Sequence, residues 1–207
     1  MRTTDLRFDE LHSLSRETYE EFFDAMPISK DQKTDRVLIA MALEDRFLEI
    51  LSLVEIRQKQ NKPWLGEVIE LFTLAFLAVA NRRVADDTIT EKATRFGQEV
   101  GLSTFTHQDD DYMTSADRAI NMAATESNAI MCYGELSDAV KAGKTMKRWM
   151  TIIDGREREW HEEVNGVTIP IDEPFEVNGE LMMYPLDDSL GAGADNIANC
   201  RCCAEYI

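Results

Sequence analysis

The stretch KRWMTIIDGREREWHEEVNGVTIPIDEPFEVNGELMMYP, residues 147–185, decides the fold class of this chain. Apolar and polar residues alternate over much of it, and two Asn-Gly pairs stand between short extended runs. Alternation is typical of strands, and Asn-Gly is the strongest short-range signal of a hairpin turn. The pattern therefore predicts a strand over residues 146–153 and two hairpins, over residues 162–171 and 176–184.

The sequence before residue 144 has the spacing of helices instead. Between residues 34 and 59 apolar residues recur every three or four positions, and charged residues are available for the opposite side. The apolar set is Ile39, Leu43, Phe47, Ile50 and Val54, and the charged set is Arg36, Glu44, Glu49 and Arg57. This pattern indicates an amphipathic helix with one buried face. A weaker pattern over residues 9–26 and an apolar run from Pro63 to about residue 83 predict one helix before it and one after it.

Two further helices and a loop complete the helical part. Thr90 suits the N-cap of a short helix that ends near Gly101, and Ser115 suits the start of a long helix toward Gly143. The polar stretch 103–114 between them predicts a loop. We interpret its three aspartates, 109–111, as solvated or as a helix lead-in, because no spaced cation-ligand loop follows them. The class is α+β: an N-terminal helical region followed by a small α+β domain with antiparallel hairpins.

The charge of the chain bears on its partners. It carries 39 acids against 22 bases, for a net charge of -17 at pH 7. Because nucleic-acid binders neutralise phosphates with clustered Lys and Arg, a large DNA-binding surface is disfavoured. A basic protein partner, or simply a contribution of the charge to solubility, fits better. The N-terminus lacks the apolar core of a signal peptide, and the most apolar run, residues 65–80, is too short and too interrupted by charge to span a bilayer. We therefore expect a cytoplasmic protein with no membrane role.

The segment DGREREWH, residues 154–161, concentrates groups that can do chemistry. Asp154, Arg158 and His161 are spaced so that a turn brings them together, and Gly155 favours a turn that starts at Asp154. An Asp that accepts a bidentate contact from an Arg and orients a His serves either as an acid–base site or as a network that fixes the fold. Because buried charges are usually paired for architectural reasons, we favour the network.

The cysteines raise the question of a metal. One of the four is alone in a predicted helix, whereas Cys200, Cys202 and Cys203 stand together near residue 207. In a cytoplasm the thiols stay reduced, so a disulfide framework is not expected. Cys200 and Cys202 with His161 supply three soft ligands suited to zinc, and Cys203 or Asp154 would complete a tetrahedron. The alternative is that these cysteines are small buried residues on a terminal strand.

The common signatures of enzymes are missing from the sequence. It has no GxSxG, no Walker A loop, no HExxH and no GxGxxG, and its histidines are scattered. A thiol enzyme that uses Cys200 or Cys202 with His161 needs only that base and nucleophile meet in space. We expect a protein without enzymatic activity and keep the thiol enzyme as the alternative.

Five patches of the sequence, in the order in which they occur, resemble those of a known family. They are ADRAINMAATESNA, KRWMTIIDGREREWH, NGVTIPIDEPF, MMYP and NCRC. Together they are similar to the phage Mu F-like head morphogenesis family of minor head proteins, and the resemblance covers residues 115–207. Residues 1–114 would then be a separate helical N-terminal region. The family motif falls on Thr125, Glu126, Trp149, Asp154, Arg158, His161, Asn199, Cys200 and Cys202, and Leu186 stands where the family often has a glycine.

The resemblance implies a minor capsid protein of the virion, assembled in the host cytoplasm and associated with the portal vertex. It implies a part in head assembly and in DNA packaging or ejection. The partners would be the portal protein, other head or scaffold proteins, or another copy of the chain, bound through the acidic helices of residues 1–114. Contact with DNA would be weak at most. The rival hypothesis is an enzyme or toxin-like domain that uses His161 with a cysteine or Glu126.

Overall fold

The computed structural model describes residues 15–207, which are mostly helical before residue 142. Residues 15–24 form α1, and residues 9–14 of the helix predicted there lie outside the described part. The helices predicted over 34–59, from Pro63 to 83, and from Ser115 toward Gly143 are confirmed. The helices after α1 are α2 (Lys30–Lys59), α3 (Leu65–Ala80), α4 (Asp87–Thr106), α5 (Ala116–Lys141), α6 (Glu159–Glu163) and α7 (Ala194–Ile197), with a 3-10 helix at Asp111–Thr114.

Short antiparallel strands follow the long helices. They are β1 (Met146–Met150), β2 (Thr168–Pro170), β3 (Phe175–Val177), β4 (Glu180–Met182) and β5 (Cys203–Tyr206). β1 is the central strand of a three-stranded sheet in the order β2-β1-β5, and β3 pairs with β4. Helices first and a small antiparallel region last confirm the predicted α+β class.

One of the two predicted hairpins forms and the other does not. β3 and β4 are joined through Asn178 (φ 52°) and Gly179 (φ 77°), and both residues have the left-handed conformation of a type I′ turn. Gly166 is also left-handed (φ 80°), but its turn follows α6 and leads into β2, which pairs with β1. The hairpin predicted over 162–171 is therefore wrong, because the segment before the turn is helical.

The region around α4 also differs from the prediction. Asp86 is the N-cap of α4, since its Oδ1 accepts a hydrogen bond from the backbone N–H of Ile89 (3.0 Å), so Thr90 is not the cap. The helix continues past Gly101 to Thr106, and the 3-10 helix follows, so residues 103–114 are not a loop throughout. Asp110 Oδ1 accepts from the backbone N–H of Tyr112 (2.9 Å), as a helix lead-in does.

The described residues form two compact units. One is continuous, residues 39–123, and the other combines residues 15–38 with residues 124–207. The domain boundary predicted at residue 114 stays a prediction. Among the described residues, no helix combines the length and the apolar character that crossing a membrane requires.

The core of the unit 39–123 is aromatic. The Phe96 ring packs against those of Phe47, Phe72 and Phe76, with centroids 5.4, 6.0 and 5.3 Å apart. α3 and α4 approach closely at Gly97, where an added Cβ would lie 2.2 Å from Thr73 Oγ1 and 2.7 Å from the backbone oxygen of residue 69. The absence of a side chain at Gly97 therefore sets the distance between these two helices.

Gly97→Ala should lower the free energy of unfolding by about 1–2 kcal/mol, because the new Cβ meets backbone atoms of α3 that cannot rotate away. Gly66→Ala, in the first turn of α3, is the matched control, since a Cβ there meets nothing within 4 Å. The higher helix propensity of alanine should make that change neutral or stabilising by up to about 1 kcal/mol. Urea unfolding followed by circular dichroism measures both, and equal effects would contradict the close approach.

Trp149 is the centre of the other unit's core. Along β1, Lys147 and Trp149 are fully buried while their strand neighbours are partly exposed. The Trp149 ring lies edge-on to Phe175, with centroids 5.2 Å apart, and to His161, with centroids 5.7 Å apart. Residues of β3 and α6 thus pack against one tryptophan of the central strand.

Arg36 and Glu44 were predicted on the solvent side of α2, and both are buried. The Arg36 guanidinium donates to both oxygens of the Glu135 carboxylate, Nη1 to Oε1 at 2.9 Å and Nη2 to Oε2 at 3.0 Å. Its Nε also donates to Asn128 Oδ1 at 2.8 Å. A buried arginine needs such a carboxylate to neutralise its charge. The helical spacing of α2 could not predict that Arg36 is buried, because its partner lies far away in the sequence.

Candidate functional site

The DGREREWH segment folds as a turn followed by a short helix. Gly155 is left-handed (φ 82°), a conformation that glycine adopts without strain. Glu157 Oε2 accepts hydrogen bonds from the backbone N–H groups of Asp154 (2.9 Å) and Gly155 (2.7 Å). α6 begins after Arg158, which occupies the N-cap position. His161 therefore lies in the helix, whereas Asp154 lies in the turn that precedes it.

Asp154 is bound by an arginine that the sequence analysis did not single out. Its oxygens accept from Arg201, Nη1 to Oδ2 and Nη2 to Oδ1, both at 2.7 Å, and Oδ2 also accepts from Arg156 Nη2 at 2.8 Å. The Arg201 and Arg156 guanidinium groups hold the pKa of the Asp154 carboxyl well below its usual range. Arg158 instead donates through Nη2 to the carbonyl oxygen of Ala198 at 2.6 Å. The predicted contact between Asp154 and Arg158 is wrong, because the turn separates Asp154 from the helix.

His161, Cys200 and Cys202 meet in the interior of their unit. His161 Nδ1 lies 3.7 Å from Cys200 Sγ and 3.5 Å from Cys202 Sγ. The three atoms all lie within 4.8 Å of one another, and each residue is only 2% exposed. The structure thus brings together the three residues that the sequence analysis selected as zinc ligands.

The other two thiols do not join this trio. Cys203 begins β5 opposite Met150, and burial raises the pKa of its thiol to about 12. Cys132 lies in α5 with its Sγ 3.7 Å from Asn128 Oδ1, and burial raises the pKa of its thiol well above the ordinary value. Both are neutral thiols in a buried setting, which is typical of structural cysteines.

The two thiols of the trio ionise differently. The hydrogen bond from the Cys200 thiol, with further contributions from His161 and Thr151, lowers the pKa of the Cys202 thiol well below its ordinary value. The same bond raises the pKa of Cys200, and burial raises it further.

Hydrogen bonds from neighbouring segments fix the backbone around the trio. Thr151 Oγ1 donates to the carbonyl oxygen of His161 (2.6 Å) and accepts from the indole N–H of Trp149 (3.0 Å). Asn128 Nδ2, on α5, donates to the carbonyl oxygens of both cysteines of the trio, each at 3.1 Å. The histidine is thus held by the end of β1, and the cysteines are held by α5.

The patch around Thr125 anchors the same segment. Thr125 Oγ1 accepts a hydrogen bond from the backbone N–H of Asn199 (3.0 Å), and Glu126 is buried beside it in α5. Asn199 is left-handed (φ 56°), which asparagine tolerates better than most residues. Four residues position this site through contacts that the sequence did not predict: Arg36, Asn128, Thr151 and Arg201. For Arg201 the signal was its place between two cysteines in NCRC, and Asn128 lies in the family-like patch ADRAINMAATESNA.

Leu186 has an unusual backbone conformation. Its φ is 71° and its side chain is fully buried. The left-handed region costs a leucine about 1–2 kcal/mol relative to glycine. Here the burial of the apolar Leu186 side chain offsets the strain.

A small cavity opens beside the trio. It has a volume of about 20 Å³ and is lined by residues 151–152, 156–158, 161 and 199–202. This volume holds about one water molecule, whereas pockets for small-molecule ligands measure about 300–1,000 Å³. Cys202 and His161 therefore form a thiol–imidazole pair, but the cavity beside them is too small for a substrate.

A comparison with protein families places this chain. The model of the family described as phage Mu protein F like protein matches residues 84–205. A comparison with curated proteins gave no match, and a comparison with solved structures gave none. The matched region is more than half of the 207 residues and includes the Thr125 patch, the DGREREWH segment and NCRC. The chain therefore belongs to the phage Mu protein F-like family, whose members are phage head morphogenesis proteins.

Proposed function

We propose that this chain is a minor capsid protein of the phage head that is associated with the portal vertex and acts in head assembly and in DNA packaging or ejection. The observation that carries the proposal is the family match over residues 84–205. Other head proteins are the partners of such a protein, and we take the portal protein as the first of them. The mature location is then the virion.

The construction of the site supports a role without catalysis. The Asp154 carboxylate is held by two arginines, and the polar residues around the trio bind backbone groups of neighbouring segments. The alternative, a thiol enzyme, rests on the 3.5 Å contact between Cys202 and His161. It requires space for a substrate beside that pair, and the cavity there measures only about 20 Å³.

The helical unit of residues 39–123 offers apolar surface to a partner. Four large apolar side chains in this unit have about half of their surface exposed: Ile56, Leu74, Leu102 and Phe105. This unit is itself mildly acidic, with 14 acids against 9 bases, so a partner with a basic rim around an apolar centre fits it. The net charge of the chain, -17, opposes extensive contact with DNA.

Co-expression with the portal protein of the same phage should give a complex that elutes as one species in size-exclusion chromatography. Nuclease treatment should leave the complex intact, because the contact is between proteins. Leu74→Glu, at a residue 53% exposed, should weaken the association about tenfold by placing a charge in the contact. Leu181→Glu, 43% exposed in the other unit, is the matched control and should leave the affinity unchanged.

Failure of the folded chain and the purified portal protein to associate under assembly conditions would contradict the portal assignment. If Leu181→Glu weakened the association with the portal protein and Leu74→Glu did not, the contact would lie on the other unit. A hydrolytic activity that His161→Ala abolishes at an unchanged unfolding temperature would favour the enzyme instead.

A further inference from the structure

We propose that His161, Cys200 and Cys202 bind one Zn²⁺ ion and that a water molecule in the adjacent cavity fills the fourth coordination position. Zinc prefers nitrogen and sulfur ligands in a tetrahedron, with Zn–S near 2.3 Å and Zn–N near 2.0–2.1 Å. Those bond lengths place a nitrogen ligand and a sulfur ligand about 3.6 Å apart. The two separations between His161 Nδ1 and the sulfurs are 3.7 and 3.5 Å, so both match the nitrogen–sulfur separation of a tetrahedral zinc site.

The ligand residues are held in place by groups that are not ligands themselves. Thr151 fixes the carbonyl of His161, and Asn128 fixes the carbonyls of both cysteines. Arg201 stands between the two cysteines in sequence, and its bidentate bond to Asp154 also holds that short segment. Such supporting contacts orient metal ligands and raise the affinity for the ion.

The fourth position follows from what surrounds the trio. Cys203 lies outside the set of atoms within 4.8 Å of one another, and the Asp154 oxygens are engaged by arginines. The cavity of about 20 Å³ is lined by all three ligand residues and has room for about one water. The site therefore has three protein ligands and one exchangeable position.

The charges of such a site balance. Zn²⁺ displaces one proton from each thiol, and both protons go to solvent while no atom changes its oxidation state. Two thiolates, a neutral imidazole and the dication sum to zero, so the complex adds no net charge to a buried position. Soft sulfur with imidazole also favours zinc over magnesium or calcium, which take oxygen ligands.

Metal analysis of the full chain purified without chelators should find one zinc per chain. Removal of zinc by a chelator should lower the unfolding temperature, and Zn²⁺ at a hundredfold excess over its Kd should raise it again by about 5–10 °C. Cys200→Ser and Cys202→Ser should each weaken zinc binding at least about 100-fold. Cys132→Ser and Cys203→Ser, at equally buried thiols, are the matched controls and should keep the ion.

X-ray absorption of the zinc-loaded wild type decides the ligand set even if a serine variant fails to fold. The expected shell contains two sulfurs near 2.3 Å and two lighter atoms near 2.0–2.1 Å. A shell of three or four sulfurs would overturn the assignment of water to the fourth position. The whole proposal is overturned if the folded wild type takes up neither Zn²⁺ nor Co²⁺ from micromolar solutions, or if Cys203→Ser abolishes binding while Cys200→Ser preserves it.

Discussion

Arg36→Ala should lower the free energy of unfolding by about 3–5 kcal/mol, the range for removing one partner of a buried ion pair. The Arg36 side chain is fully buried and that of Glu135 is 10% exposed, so the substitution leaves a carboxylate in the interior without its cation. It also removes the Nε donor from Asn128, the residue that holds the carbonyls of Cys200 and Cys202. The loss should appear in urea unfolding followed by tryptophan fluorescence.

The matched control is Arg148→Ala in the same unit. Arg148 pairs with Glu205 at 3.0 Å, but their side chains are 41% and 54% exposed, so the change should cost less than about 1 kcal/mol. The double substitution Arg36→Met with Glu135→Leu should recover most of the stability, because no charge is then left unpaired. Equal losses for Arg36→Ala and Arg148→Ala would show that burial of the first pair does not determine its strength.

Lys147→Met should reveal a pH dependence that comes from one buried ammonium. Lys147 is fully buried, donates through Nζ to the carbonyl oxygen of Met183 (2.6 Å) and lies 5.1 Å from the centre of the Phe175 ring. Burial lowers its pKa from 10.5 to about 8. Between these pH values the unfolded chain holds a proton that the folded chain has lost, so the stability of wild type rises with pH.

The quantity to measure is the unfolding free energy of wild type minus that of Lys147→Met. We expect it to be constant below pH 8 and to rise by about 2–3 kcal/mol toward pH 10.5, once partial solvent screening is allowed for. Wild type alone would hide the effect, because burial raises the pKa of Cys203 to about 12 and the pKa of Tyr184 well above its ordinary value. Such acids reduce stability as the pH rises.

Both proteins contain those acids, so the difference removes their contribution. Lys144→Met, at an exposed position, controls for the loss of one positive charge. A difference that stays flat from pH 7 to pH 10.5 would contradict the burial of a charged Lys147 in the folded protein.

The long helices could be predicted because their apolar spacing matches the face that packing buries. Arg36 could not, because its partner Glu135 lies 99 positions away and a charged residue beside an apolar stripe normally faces water. The Asn-Gly pairs likewise predicted the turns correctly but not both of the hairpins. Both Asn-Gly pairs make turns, but the segment before Gly166 is helical, since the buried contacts of His161 override the local strand pattern.

Residue type alone selected the trio His161, Cys200 and Cys202, because few other combinations in this chain offer soft ligands. The partner of Asp154 could not be chosen in the same way, since Arg158 and Arg201 have identical chemistry and only the path of the chain after Gly155 distinguishes them. The positioning roles of Asn128 and Thr151 could not be predicted, because the sequence does not distinguish a polar side chain that binds buried backbone from one that faces solvent.

The division of the chain into a continuous unit and an interrupted one determines the order in which a ribosome can complete them. Residues 39–123 are made together and can fold while synthesis continues, whereas the other unit needs residues 15–38 and the strand Cys203–Tyr206 at the same time. Arg36 therefore remains without Glu135 until about a hundred further residues have been added. Closing so long a loop is slow, so the sheet should be the last part of the nascent chain to become resistant to proteolysis.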